Sequence, residues 1–181
     1  MNIFLTPSQD NLFNKITNEF KYPTISRTNY VITGESGVGK TLLAKHLCKE
    51  KNGEYIAFTK NYGESFFNHT DLLDIDGTDL LEFIKTSIIK DKREKLFAID
   101  DIEYIFNYMY FNRKINNFLR IFKRYSFFNK IILIIPSMYL NKPFDENVFE
   151  LMFTEKDRNF LANYYSVARS IAMDYGNGYY F

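Results

Sequence analysis

Between a short apolar segment, NYVITG at 29–34, and a helical run, TLLAKHLCKE at 41–50, stands GESGVGKT, residues 34–41. No other stretch restricts the fold as strongly. Gly34, Gly37 and Gly39 let the backbone take angles that other residues avoid, so consecutive N–H groups can turn inward. The following helix presents its positive N-terminal end to the same spot. Lys40 adds a point charge, and Thr41 adds a hydroxyl able to ligate a divalent cation. With Glu35, Ser36 and Val38 completing the loop, these groups converge on one ligand chemistry, a polyphosphate. A chance match to G-x-x-x-x-G-K-[ST] would lack the strand before it and the helix after it, and both are present here.

The rest of the chain alternates in the same manner. Apolar strands are expected at 29–34, 54–60, 95–101, 130–137 and 149–155. Helical periodicity covers a short segment near 7–20, then 41–50, 78–92, 102–125 and 156–175. The segment 61–78 reads as polar and irregular, and a loop through Pro23 precedes the first strand. Each strand-to-strand connection is long enough for a crossover, which implies a parallel sheet covered by helices on both faces. The expected architecture is therefore α/β, a three-layer αβα sandwich on a five-stranded parallel sheet. One domain is expected over 1–181, with 1–28 as an N-terminal helical extension and 156–181 as a C-terminal helix.

Composition excludes several classes. With 181 residues, 46% of them apolar, the chain is long and hydrophobic enough for one globular core. A net charge of +1, from 23 basic and 22 acidic residues, gives no global attraction to nucleic acid or membranes, though a local patch is compatible with it. The single cysteine, Cys48, fits a reducing compartment, and no basic-then-apolar leader opens the chain. The longest apolar run, IILIIP at 131–136, is too short for a bilayer, so a cytoplasmic location is expected. Aromatic residues reach 18% without tryptophan, which reads either as AT-rich codon usage or as platforms for stacking bases. His46 and His69 stand too far apart for a metal site, and His46 and Cys48 read as helix packing.

A second acidic element supports the phosphate reading. KLFAIDD at 95–101 puts Asp100 and Asp101 at the end of an apolar strand. Nucleotide hydrolysis needs one carboxylate to hold Mg²⁺ through its water shell and another to orient the attacking water. The division expected here gives Asp100, with Thr41, to the metal and Asp101 to the water, with Glu103 a weaker candidate. The plainer alternative is a pair of solvated turn acids.

The succession GESGVGKT, LFAIDDIEYIF and IILIIPS resembles the AAA+ group of P-loop ATPases over about residues 29–155, and AIDDIEYIF is most similar to replication initiators and helicase loaders of the DnaA and DnaC type. The resemblance implies ATP and Mg²⁺ as ligands, a sheet order of 5-1-4-3-2, and a polar γ-phosphate sensor after the fourth strand, where Ser137 follows Pro136. It makes Lys40, Asp100, Asp101 and Ser137 the catalytic set. Two departures stand out. The segment MYLNKPFDENV at 138–148 contains Lys142 and no arginine finger, and of the usual helical lid only about one helix remains. Arg158 and Arg169 are the arginines available for a lid sensor. A reduced lid also resembles accessory ATPases of bacterial phage-defence operons.

Arg113, Arg120 and Arg124 fall on one face of the expected long helix. They read as a strip for nucleic-acid phosphates, as arginines donated to a neighbouring copy's ATP, or as an ordinary solvated face. A slow ATPase acting with a protein partner or second copy in DNA replication, loading or phage defence is the leading functional expectation. Its rivals are a nucleotide-gated binding module with little hydrolysis and a small-molecule kinase.

Overall fold

The structure, a computed structural model, describes residues 4–21, 29–69, 77–90, 95–127 and 129–176. The elements run α1 (Pro7–Lys21), β1 (Asn29–Gly34), α2 (Lys40–Glu50), β2 (Glu54–Ala57), α3 (Phe58–His69), α4 (Gly77–Phe83), β3 (Leu96–Asp100), α5 (Glu103–Phe111), α6 (Ile115–Arg124), β4 (Lys130–Pro136), β5 (Val148–Glu150) and α7 (Glu155–Gly176). The five strands form one parallel sheet in the order β2-β3-β4-β1-β5, which is the expected order read from the other edge.

Alternating side chains along the strands feed two apolar layers. Val31, Phe97, Ile99, Ile131 and Leu133 face the layer formed with Phe66, Leu80, Ile105 and Phe118 of α3 to α6. Tyr30, Ile32, Ala98, Ile132 and Ile134 face Leu12 and Ile16 of α1 and Leu43 and Leu47 of α2. The three layers thus follow from period-2 apolar strands buried on both faces. Within α2, Leu43, Ala44, Leu47 and Cys48 are buried while Leu42 is 39% exposed. His46 packs its ring 4.9 Å from that of Phe13. Burial pushes the Cys48 thiol up to about 11, as befits a packing residue.

Four elements differ from their sequence reading. β2 ends at Ala57, and 58–69 forms α3 rather than strand and irregular chain. Phe58, Tyr62 and Phe66 recur at helical spacing, and the Phe58 and Phe66 rings close on Phe83 at 5.9 and 5.1 Å. The rest of the expected irregular segment, 70–76, lies outside the described residues. The expected helix 78–92 starts as α4 and continues as a π-helical turn at Ile84–Ile89. There Thr86 turns its hydroxyl back to the Glu82 carbonyl at 2.8 Å.

The expected long helix 102–125 is two helices. Buried Met109 and buried Ile115 stand six positions apart in the chain, and on one helix that spacing would put them about 120° apart. The apolar stripe loses phase, so the chain breaks to bury both. Lys114 N–H donates to Met109 O at 2.7 Å and Arg113 N–H to Tyr110 O at 3.0 Å, with Arg113 in the left-handed region at φ 57°. This is a Schellman closure with arginine where glycine or asparagine is usual. Lastly, β5 is shorter than 149–155, because Thr154 and Asp157 already cap α7: Asp157 N–H donates to Thr154 O at 3.1 Å, and Thr154 N–H donates to Asp157 Oδ2 at 2.7 Å.

Candidate nucleotide site

The loop after β1 climbs to the N-terminus of α2 by way of two tight contacts. A Cβ on Gly34 would meet the Leu151 carbonyl oxygen at 2.3 Å, since the chain leaving β5 crosses there. Gly39 sits at φ 91°, and a Cβ on it would meet Gln9 Nε2 at 2.0 Å. Both positions therefore exclude any other residue without rearrangement. Ser36, Gly37, Gly39, Lys40 and Thr41 line a cavity of about 270 Å³, closed by Asp100, Glu103 and Pro136. Gly34, Glu35 and Val38 contribute carbonyls to the loop's framework. Lys40 Nζ donates to Gly34 O at 3.0 Å and Glu35 O at 2.6 Å, and Gln9 Nε2 donates to Val38 O at 3.3 Å.

At the end of β3, buried Asp100 is held from three sides. Thr41 Oγ1 donates to its Oδ2 at 2.6 Å, Tyr55 OH donates to the same oxygen at 3.0 Å, and Asp101 N–H donates to Oδ1 at 2.9 Å. Burial, then the charge and acceptance of Asp100, raise the Tyr55 phenol and keep it a donor. The Thr41 hydroxyl and Asp100 carboxylate are hard oxygen donors side by side, the set that suits Mg²⁺. Among the described residues no cluster of three or more His, Cys, Asp or Glu could hold a metal by itself, so a cation here would complete its shell with phosphate oxygens and water.

Asp101 and Glu103 go different ways. Asp101 is exposed, has φ 61°, and does not line the cavity. Its carbonyl accepts Thr59 N–H at 3.1 Å together with the Thr59 hydroxyl, capping α3. Glu103, the first residue of α5, lines the cavity. Burial raises its carboxyl above the usual range, Asp100 and Asp101 add to this, and Lys40 opposes it. Burial likewise lowers the Lys40 ammonium, while Asp100 and Glu103 work to raise it. Ser137 is half-buried and opens the turn Ser137–Tyr139; its neighbour Pro136, not Ser137, lines the cavity. Arg113, Arg120 and Arg124 lie elsewhere. Arg158 is exposed at the start of α7, and the side chain of Arg169 lies outside the described residues.

Sequence reading missed Gln9 and Tyr55. Neither belongs to a motif; both reach the site only because β2 pairs with β3 and α1 folds over α2. Half-buried Ser8, beside Gln9, donates its N–H and hydroxyl to Asp157 at 2.8 and 2.6 Å. The loop is thereby tied through α1 to the cap of α7.

The parallel sheet order, with the glycine loop following β1 and a carboxylate ending β3, defines a P-loop nucleoside-triphosphatase fold. Within that class the chain belongs to the ATPase family associated with various cellular activities (AAA), whose model matches residues 30–154. It is an ATP-binding protein of that family. No curated protein matches the chain. Similar solved structures include C. elegans PCH-2 at 18% identity, covering 79% of this chain and 41% of that one, with TM-score 0.40. A Drosophila ORC bound to DNA is 14% identical over 91% of this chain and 52% of that one, with TM-score 0.42. The Aeropyrum pernix ORC2 protein is 12% identical over 83% and 50%, with TM-score 0.40. The chain thus spans about half or less of these structures' own length. Among the described residues no helix is long and apolar enough to cross a membrane.

Proposed function

We propose that this chain is a slow, Mg²⁺-dependent ATPase of the cytoplasm that depends on a partner for rapid turnover. The observation that carries it is the 270 Å³ cavity in which Lys40, Thr41, Asp100 and Glu103 meet the glycine loop. Loop N–H groups and Lys40 bind the β- and γ-phosphates. Thr41 and Asp100 hold Mg²⁺, which when bound neutralises charge on the phosphate oxygens. Glu103 accepts a proton from the water that attacks the γ-phosphorus; the bond to the β-phosphate's bridging oxygen breaks, and ADP and inorganic phosphate leave. Its raised carboxyl suits a base working nearer neutrality. Asp101, the other candidate for the water, reaches the cavity only if its side chain swings inward. Ser137 stands one residue from the lining and is the proposed polar sensor.

Slowness follows from charge. An arginine finger can contribute roughly 10³–10⁵ in rate, and 138–148 contains none. On the likeness to initiators and helicase loaders, the partner belongs to DNA replication, loading or phage defence. The test is ATP turnover by the pure chain across a range of protein concentrations. Turnover below about 1 s⁻¹ is expected, the low end of common values, rising when a partner supplies the missing cation. Fast turnover by a monomer contradicts this reading. Tight Mg·ATP binding with no turnover under any condition would favour the nucleotide-gated module instead.

A further inference from the structure

A second concave surface shares no lining residue with the nucleotide cavity. Two hollows, of about 320 and 450 Å³, lie between α6 and the chain that joins β4 to β5, and they meet at Asn116 and Asn141, which line both. Asn116, Arg120, Lys123 and Arg124 stand at helical spacing on one stripe of α6, opposite its buried face of Ile115, Phe118 and Phe122. Over Ile115–Arg124 that stripe is about 15 Å long. Arg113 extends it past the helix break.

The charge of this groove is one-sided. Its lining holds four cations, Arg113, Arg120, Lys123 and Arg124, against one carboxylate, Asp145. Asp145 is engaged by Lys123 at 3.0 Å, and Arg120 reaches only the neutral amide of Asn117 at 2.8 Å. The hollow at the Arg120 end is lined by Phe122 and Phe144, but the exposed rings lie at the Arg113 end. Tyr110 is 47% exposed and Phe111 79% exposed, and Tyr110 meets Tyr139 edge-on at 5.7 Å. Arg113 itself is held in the left-handed region at φ 57°, a conformation unfavourable for a non-glycine residue. A glycine would close the same turn at no such cost.

We propose that this groove binds single-stranded nucleic acid. Arginines spaced along a channel match a chain of phosphates, exposed rings at its mouth offer faces for unstacked bases, and the amides of Asn116 and Asn141 can bond base edges or sugar hydroxyls. The rings select single strands, since paired bases keep their faces stacked within the duplex. The site uses none of the nucleotide-cavity residues, so its failure leaves the ATP reading untouched.

The probe is a fluorescein-labelled dT12, titrated by anisotropy with the full chain at several salt concentrations. Binding is expected with a slope of log K against log salt of about −2, for three engaged arginines at about −0.7 each. Arg113→Ala, Arg120→Ala and Arg124→Ala combined should abolish it while an ATP analogue still binds. Phe111→Ala should weaken it about tenfold with the slope unchanged. Arg113→Gly separates function from folding: its melting temperature should hold or rise while the slope falls by about 0.7. The proposal is overturned by absence of binding at low salt, by binding that survives loss of the three arginines, or by tighter binding of a duplex hairpin. Self-association through this face without oligonucleotide binding overturns it too, and makes a second copy the occupant.

Discussion

The nucleotide cavity and the α6 groove are both polar concavities at the edge of the same apolar layers, yet they are built in opposite ways. In the cavity Lys40, Thr41 and Asp100 are already committed: Asp100 accepts three hydrogen bonds, one of them from the Thr41 hydroxyl, and Lys40 holds two loop carbonyls. In the groove the arginines are exposed and the rings bare. A committed network resists movement and suits a reaction that needs fixed geometry. Loose cations and exposed rings suit a ligand that brings its own counter-charges and adapts on docking. Substitutions should therefore act on chemistry and stability around the cavity, and leave stability almost untouched around the groove.

The largest effect is expected at Glu103. Glu103→Gln should lower turnover about 10²–10⁴-fold, the usual worth of a general base, with Mg·ATP affinity retained. Asp101→Asn, at an exposed position whose backbone carbonyl does the capping, should lower it less than about threefold. Initial rates of the two variants decide between them, and the reverse ranking returns the water to Asp101. The pH profile sharpens the same point. Because the Glu103 carboxyl is raised, mainly by burial, wild-type turnover should fall on acidification at a pH above the ordinary glutamate value of about 4.3. That acid limb should vanish in Glu103→Gln.

Stability should respond next, at the tie between α1 and α7. Burial works to raise the Asp157 carboxyl, but hydrogen bonds from Ser8 and Thr154 outweigh it and hold the group well below the usual carboxylate range. Its folded value is depressed, so its stabilisation is present above the ordinary carboxylate value and is lost as pH falls below it toward the folded one. Asp157→Ala should cost about 3 kcal/mol near neutrality, because several donors lose their acceptor at once. The gap to wild type in thermal unfolding should narrow toward pH 2; a gap that is constant with pH would contradict the tie. The smallest effect is expected in the groove, where Arg124→Ala should move stability by no more than about 0.5 kcal/mol. A larger loss there would erase the contrast between the two regions.

The same contrast governs what could be read in the sequence. GESGVGKT was legible because its chemistry is local: eight consecutive residues carry the glycines, the lysine and the hydroxyl. Alternation of apolar strands and helices likewise exposed the layered fold, and strand order followed from the family resemblance. Long-range placement was harder. Tyr55 and Gln9 sit 45 and 29 residues from the groups they touch, and only strand pairing and helix docking bring them there. The break at Arg113 was hidden because 102–125 is helix-forming almost throughout; the loss of phase between Met109 and Ile115 was its one trace. α3 was obscured by polar residues interleaved with Phe58, Tyr62 and Phe66, whose partner Phe83 lies on another helix.

The central claim is that the loop from Gly34 to Thr41 binds Mg·ATP through Lys40 and the Thr41–Asp100 pair, and it is tested most directly by titrating a fluorescent ATP analogue into wild type, Lys40→Ala and Asp100→Asn, each with and without Mg²⁺. Wild type should bind, and more tightly with Mg²⁺. Lys40→Ala should lose about 10–100-fold in affinity, the worth of a charge-assisted contact to phosphate. Asp100→Asn should bind with little response to Mg²⁺. Lys40→Ala binding as tightly as wild type, or Asp100→Asn keeping the full Mg²⁺ response, would contradict it.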